Sequence, residues 1–241
     1  MKALILNSGT GSRLLPLTKD KPKCMTQLSE NETLLSLQLK NLSFYGIKDI
    51  VITTGYEADK LVEYSSELGK QLGISISFVF NDLFESTNYT YSIYLAEKFL
   101  HDDVVLLHGD LIFDVTILQG LLQTEGSRMV VSSTAALPKK DFKAQIVNGR
   151  ITSICIDVFE DAMAAQPLYK LVLDDWVIWL KEIVKFCKEG NRSCYAENAF
   201  NKVSDSCKLF PYDIVDSLCM EIDDLTDYEY AKQVFNLSKK A

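Results

Sequence analysis

Apolar residues along this chain follow two rhythms, and the change between them falls near residue 134. Before it, short apolar runs alternate with longer stretches of helical spacing. Residues 2–7 read as the first strand. Thr33 is placed to cap a helix over 34–44, which Gly46 ends. Asp49-Ile50-Val51-Ile52-Thr53-Thr54 is the second strand, and a helix over about 57–70 follows, ending near Gly69. Residues 74–80 alternate partly and are rich in β-branched and aromatic side chains, so they form the third strand. Tyr91 to Leu100 reads as helix. Val104-Val105-Leu106-Leu107 is apolar throughout, as a central parallel strand buried on both faces should be. A helix over about 115–123 and a strand at 128–134 complete this half.

The second half breaks the alternation. Lys143 to Val147 and Arg150 to Ile156 are strand-like runs joined by Asn148-Gly149, the strongest short hairpin signal. A helix over about 173–188 carries Trp176 and Trp179, three apart, which fits a core stripe. Residues 197–206 read as helix, Cys219 to Ile222 as a short strand, and 224–237 as the last helix. The pattern predicts an α/β fold: a mostly parallel sheet with helices on both faces plus a small antiparallel β-hairpin insertion. With no linker or repeat, residues 1–241 read as one domain of two halves, 1–134 and 135–241.

Composition narrows the chemistry. The chain is 47% hydrophobic and 24% charged, enough for a sizeable core. A net charge of −8 argues against nucleic-acid or anionic-membrane partners, which favour basic surfaces. No apolar run approaches the roughly 18–20 residues of a membrane span. Met1 to Leu6 is too short for an export signal and meets polar residues at once, so the expected location is cytoplasmic. The six cysteines form no C-x-x-C pair and are expected as reduced thiols. Only His101 and His108 are present, which leaves the chemistry to carboxylates, lysine, arginine and a metal ion.

Candidate chemistry begins where the first strand ends. Leu6-Asn7-Ser8-Gly9-Thr10-Gly11-Ser12-Arg13 is followed ten residues later by Lys23. Two glycines allow a tight turn whose N–H groups approach an anion, and the two cations add charge. A Gly-x-Gly alone equally fits an ordinary turn. The loop lacks the Gly-Lys-Ser/Thr of a Walker A motif, and Leu14 stands where a dinucleotide fingerprint needs its third glycine. Asp110 follows the apolar strand, where open α/β sheets keep their sites, and suits Mg²⁺, which prefers one or two carboxylates. By itself it also fits a turn aspartate. Glu221 and Asp223 share a face and repel unless a cation lies between them; a solvated acidic turn before the last helix is the other reading.

The stretch Gly9-Thr10-Gly11-Ser12-Arg13-Leu14, then Pro16-Leu17-Thr18, then Pro22-Lys23 resembles the opening motif of the nucleotidyltransferases that activate sugar phosphates and phosphocholine. That resemblance implies a Rossmann-like fold in which Leu6 to Ser12 wrap a nucleoside triphosphate while Arg13 and Lys23 bind its phosphates. It implies Asp110 and Asp223 as Mg²⁺ ligands, with Glu221 a ligand or an acceptor contact. Arg13, Lys23 and Asp110 are then the catalytic group. Asn7-Ser8 stand where the family usually has Ala-Ala, beside the base and ribose.

Thr87-Asn88-Tyr89-Thr90-Tyr91-Ser92 resembles a segment of the phosphocholine cytidylyltransferase-like branch, where sugar-phosphate enzymes usually carry Gly-Thr-Ala. Asn88 and Ser92, four apart, are thereby implied as nucleotide contacts; a helix cap by Thr87 or Asn88 is the other reading. Tyr195-Ala196-Glu197 resembles an acceptor-binding segment of that branch, and an aromatic beside a carboxylate suits an ammonium group. Lys140-Asp141-Phe142-Lys143, just before the hairpin, fits either a segment reaching over the acceptor, with Lys143 on a carboxylate or phosphate, or a solvated loop. The implied reaction transfers CMP from CTP to a phosphocholine, phosphoglutamine or aminoethylphosphonate type of acceptor, in decoration of surface or capsular polysaccharide. A sugar-1-phosphate nucleotidyltransferase and a non-catalytic nucleotide-binding regulator are the alternatives.

Overall fold

The computed structural model describes residues 1–238. The chain begins with β1 (Lys2–Leu6), a small antiparallel pair β2 (Gln27–Ser29) and β3 (Glu32–Thr33), α1 (Leu34–Phe44), β4 (Asp49–Thr54), α2 (Ala58–Leu72) and β5 (Ser75–Phe80). It continues through α3 (Tyr89–Ala96), β6 (Val104–His108), β7 (Leu111–Phe113), α4 (Val115–Gln123) and β8 (Arg128–Ser132). Then come β9 (Lys143–Val147), β10 (Arg150–Cys155), β11 (Ala162–Leu171), α5 (Leu173–Lys188) and α6 (Ala196–Val203). β12 (Phe210–Asp213), β13 (Cys219–Glu221) and α7 (Leu225–Ser238) end the fold.

Among the described residues nine strands join one sheet, in the order β10-β9-β11-β6-β1-β4-β5, with β8 and β12 branching from β11. β6, β1, β4 and β5 are parallel to one another. The strand pleat sorts apolar side chains to the two faces. Ala3, Ile5, Val105 and Leu107 pack with Leu35, Leu39, Leu61 and Ile117 from α1, α2 and α4. Leu4, Leu6, Val104 and Leu106 pack with Ile93, Trp176, Trp179 and Phe200 from α3, α5 and α6. Helices therefore cover both faces, as the alternation predicts. Both tryptophans are core residues, with indole N–H groups donating to the Leu100 and Ala196 carbonyls. A third cluster joins Leu14, Leu28, Ile112 and Ile222 to Tyr228 and Phe235 of α7.

Several boundaries are as the sequence suggests. Thr33 caps α1 and exchanges hydrogen bonds with Ser36. Asn148 and Gly149 both take positive φ in the β9–β10 hairpin, as its tight turn requires. Others differ. α2 runs through Gly69 to Leu72 and ends at Gly73, which takes the left-handed conformation. Gly69 is a packing residue: a Cβ there would stand 3.2 Å from Ile76 Cδ1. α3 starts two residues earlier than expected because Asn88 caps it, accepting the Tyr89 N–H. α6 likewise begins at Ala196 and ends at Val203, short of the expected 206.

The ten-residue β11 has no counterpart in the sequence reading. Its Ala-Met-Ala-Ala-Gln-Pro run lacks β-branched residues, and Pro167 speaks against a strand. Pro167 falls in a register shift between Ala165 and Tyr169, where the missing N–H breaks no ladder pair with β8. β11 is antiparallel to β6, β8 and β9 and brings the second half into the sheet.

Candidate active site

A cavity of about 630 Å³ opens at the carboxyl ends of β1 and β6. A smaller one, about 190 Å³, adjoins it, and the two share Leu6, Gly9, Asn88, Tyr89, His108 and Asp110. The loop after β1 forms one wall. Gly11 sits at φ 62, and a Cβ there would stand 3.1 Å from Lys23 Cβ and 3.3 Å from Thr18 Cγ2. The Thr18 hydroxyl donates to the Gly11 carbonyl at 2.9 Å, so the turn is locked onto the segment that carries Lys23. Gly9 is different: it has no positive φ, and a Cβ there would meet nothing in the protein. Gly11 alone makes the left-handed turn; Gly9 leaves open space against the cavity. Leu14, buried in the third cluster, anchors the far end.

The carboxylates meet because β7 pairs with β13, setting Leu111 opposite Glu221, while the Ile222 N–H donates to the Asp110 carbonyl. Gln38 of α1 clamps this corner by donating to the carbonyls of His108 and Leu111. Lys23 Nζ donates to Asp110 Oδ2 at 2.7 Å and to Asp223 Oδ1 at 2.9 Å. Arg13 reaches the same Asp223 oxygen at 2.9 Å while staying 70% exposed. Burial works against the Lys23 charge, but Asp110 and Asp223 outweigh it and raise its pKa. Burial likewise opposes ionisation of Asp110, yet Lys23 and His108 lower its pKa overall.

His108 Nδ1 lies 2.8 Å from Glu221 Oε1, and its Nε2 is buried without a partner. Burial disfavours the imidazolium, but Glu221 and Asp110 hold it charged and push its pKa up to about 9. Glu221 is shifted upward by burial and by Asp110, with His108 pulling the other way. Asp110 Oδ1 is a buried acceptor with no hydrogen bond. Its other oxygen and Asp223 Oδ1 converge on one ammonium, so both carboxylates point at a position that takes positive charge. Among the described residues, His108, Asp110 and Glu221 bring ligand atoms within 4.8 Å of one another. The two carboxylates of this set fit a hard divalent cation, while His108 could join them only as the neutral imidazole.

The opposite wall is aromatic. α3 and α6 both begin here, stitched together by Asn88 N–H on the Arg192 carbonyl and by the Thr90 hydroxyl on the Cys194 carbonyl. Glu197 is 2% exposed and accepts hydrogen bonds from the hydroxyls of Tyr89 and Tyr169, the latter at 2.8 Å. Burial and then Glu197 raise the pKa of both phenols, which keeps them donors. Tyr195 packs on Tyr89 and edge-on against Phe142, with ring centroids 5.8 and 5.0 Å apart.

Leu6, Asn7, Gly9 to Arg13, Lys23, Asn88, Asp110, Tyr195, Glu197, Glu221 and Asp223 all line the larger cavity. Ser8 and Ser92 line only the smaller one, and the Ser92 hydroxyl donates to Ser8 at 3.0 Å. Lys143 matches neither sequence reading. It is fully buried, donates to the carbonyls of Pro138 and Asp141, and lies over the Phe159 ring. The sequence assigns no role to His108, Tyr89 or Tyr169, whereas the segment before the hairpin does edge the cavity through Lys140, Asp141 and Phe142. The one available signal was that His108 directly precedes Gly109-Asp110; the aromatics converge only through the tertiary fold.

The glycine loop after β1 thus faces paired carboxylates at the carboxyl ends of the parallel strands. The chain belongs to the nucleotidyl transferase family, whose model matches residues 2–141. It is similar to the CTP:phosphoglutamine cytidylyltransferase of Campylobacter jejuni subsp. jejuni serotype O:2, with 28% identity over 137 residues, covering 54% of this chain and 52% of that protein. It is also similar to the mannose-1-phosphate guanyltransferase of Debaryomyces hansenii, with 29% identity over 164 residues, covering 66% and 44%. The fold matches the CTP:phosphocholine cytidylyltransferase of Streptococcus pneumoniae with a TM-score of 0.77 at 22% identity, over 97% of this chain and 98% of that one. The matches span about half or less of the curated relatives' length. Fold and family together are those of a nucleotidyltransferase-type enzyme; relatives named for different nucleotides and acceptors place the chain at the level of the family.

Proposed function

We propose that this protein transfers a nucleoside monophosphate from a nucleoside triphosphate to a small phosphorylated acceptor. An acceptor oxygen bonds to the α-phosphorus as the bond to the β-phosphate bridge breaks, and pyrophosphate leaves. The observation that carries this reading is Lys23 between Asp110 and Asp223 at the mouth of the glycine loop. The acceptor oxygen is already anionic, so no general base is needed. Residues 9–13 and Lys23 meet the triphosphate, and Arg13 is exposed enough to follow it. The smaller cavity, with the Phe84 ring in its wall, suits the base. Asp110 and Asp223, with Glu221 beside them, would hold Mg²⁺, which when bound offsets phosphate charge. In this reading one catalytic domain divides its work, residues 1–134 serving the nucleotide and 135–241 most of the acceptor.

Two acceptor classes draw support from different observations. A sugar-1-phosphate draws its support from the relatives, among which mannose-1-phosphate guanyl- or guanylyltransferases of Debaryomyces hansenii, Dictyostelium discoideum and Neurospora crassa are 29%, 37% and 39% identical to this chain over the aligned stretches. A zwitterionic phosphate or phosphonate with CTP is favoured by the site, where Glu197 lies buried among Tyr89, Tyr169 and Tyr195, a setting for an ammonium group. Pyrophosphate release is measured with the four nucleoside triphosphates and Mg²⁺. The acceptors are glucose-1-phosphate, mannose-1-phosphate, phosphocholine and aminoethylphosphonate. One acceptor class should give turnover, and Asp110→Asn should lower it at least about a hundredfold while still folding. Near wild-type turnover by that variant would remove Asp110 from the chemistry, and silence with every pair would overturn the proposed reaction.

A further inference from the structure

Asn7 carries one of the buried side-chain polar atoms that the protein leaves without a hydrogen bond, its amide Nδ2. It stands just past β1, 8% exposed, with its backbone N–H on Thr53 Oγ1 at 3.0 Å. Its side-chain amide has no hydrogen-bond partner in the protein, and Nδ2 is shut away from solvent. The residue nevertheless lies in the wall of the larger cavity with Asp110 and Glu221. The carboxamide is pinned there. A Cβ on Gly109 would stand 1.6 Å from Asn7 Oδ1 and 2.4 Å from Cγ, so the Gly109 backbone presses directly against it. Gly109 is itself fixed, its N–H donating to the Leu6 carbonyl at 3.0 Å. A buried amide held rigidly without a partner weakens the fold unless a ligand supplies the missing hydrogen bond.

We propose that Asn7 is a specificity-determining residue whose carboxamide hydrogen-bonds a sugar hydroxyl of the bound nucleoside triphosphate, selecting ribonucleotides over deoxyribonucleotides. This rests on the nucleotidyl-transfer reading above. Placement supports it: the base suits the smaller cavity beside Phe84, and the triphosphate is met by residues 9–13 and Lys23. The sugar must lie between them, at the rim the two cavities share. Leu6 and Asp110 form part of that rim, and Asn7 lies next to both. Chemistry supports it as well. A carboxamide offers one donor and one acceptor group, the complement of a hydroxyl, and it is neutral beside a carboxylate that disfavours an anionic oxygen.

Calorimetry with Mg²⁺ measures binding of CTP, UTP, ATP and GTP, then of the 2′-deoxy and 3′-deoxy forms of whichever binds most tightly. Wild-type protein should prefer the ribonucleotide over one deoxy form by about tenfold or more. Asn7→Ala should lose that preference, binding the ribonucleotide about tenfold more weakly and that deoxy form unchanged. Without nucleotide, the same variant should melt at or above the wild-type temperature, because an unsatisfied buried amide is gone. A purely structural asparagine would lower the melting temperature and leave discrimination intact, and that result overturns the proposal. Equal weakening toward ribo and deoxy forms would place the contact on phosphate and overturn it too. If wild-type protein binds no nucleoside triphosphate, the nucleotidyl-transfer reading falls and takes this proposal with it. If binding is normal and Asn7→Ala still discriminates, only this proposal falls.

Discussion

Lys23 shows how one side chain sets the state of the whole site. Its side chain is 14% exposed and its ammonium bridges two carboxylates from segments 113 residues apart, Asp110 and Asp223. Without it, neither oxygen of Asp110 has a side-chain partner, and Asp223 retains only the exposed guanidinium of Arg13. Breaking one side of a partly buried ion pair costs about 2–4 kcal/mol, because the charge left behind is uncompensated. In a protein of this size that lowers the melting temperature by roughly 5–15 °C. Lys23→Met should therefore melt earlier in EDTA. Millimolar Mg²⁺ should recover more of the loss than it adds to wild-type protein, since a cation can take the place of the ammonium. Thermal scans of both proteins with and without Mg²⁺ check this. An equal Mg²⁺ effect on the two would mean that Asp110 and Asp223 do not form a cation site.

At the scale of elements, the strands and helices that carry the nucleotide half were legible because their apolar periods are clean. β1, β4, β6 and the helices α1 and α4 appear where residues 2–123 predict them. The loop was legible too, since glycines, Arg13 and Lys23 are local signals. What stayed hidden depends on packing. β11 carries alanines and a proline that only a bulge accommodates. The Tyr89–Glu197–Tyr169 group draws on α3, β11 and α6, separated by as many as 108 residues, and no spacing announces it. Lys143 is a similar case. Its place before the hairpin fits an acceptor contact or a solvated loop, yet its ammonium is buried and donates to the carbonyls of Pro138 and Asp141. It thereby fastens the 133–142 connection, whose Lys140, Asp141 and Phe142 edge the larger cavity. Hydrogen bonds from a charged donor are worth about 1.5–3 kcal/mol, so Lys143→Met should release this strap locally. Exposed Lys139 and Lys140 then become faster tryptic sites, while the rest of the chain resists cleavage. Unchanged cleavage at 139–140, followed by mass spectrometry, would show that the strap is held by something else.

The described residues form three apolar clusters, and the first supplies Leu6, Met129, Ala165 and Tyr169 to the wall of the larger cavity. Two clusters sandwich the sheet, and the third fastens α7 to the loop after β1 through Leu14, Ile112 and Ile222. Asp223 lies immediately beyond Ile222, and Arg13 immediately before Leu14. The third cluster thus shares its backbone with the polar site: whatever binds between Arg13, Lys23, Asp110 and Asp223 also clamps α7. The sheet strands β1, β4 and β6 are already buried on both faces and have little further protection to gain. A ligand present at about 100 times its Kd stabilises the folded state by roughly 2.7 kcal/mol. Here that stabilisation should concentrate where opening is easiest. Amide hydrogen exchange with nucleoside triphosphate and Mg²⁺ should slow most over residues 9–15 and 222–235, and change little in β4 and β5. If Asp110 and Asp223 hold a cation as proposed, adding EDTA should restore fast exchange in the α7 segment. Uniform slowing over all segments would mean that the ligand stabilises the fold only globally. Slowing confined to the 9–15 loop would mean that Asp223 and α7 take no part in holding it.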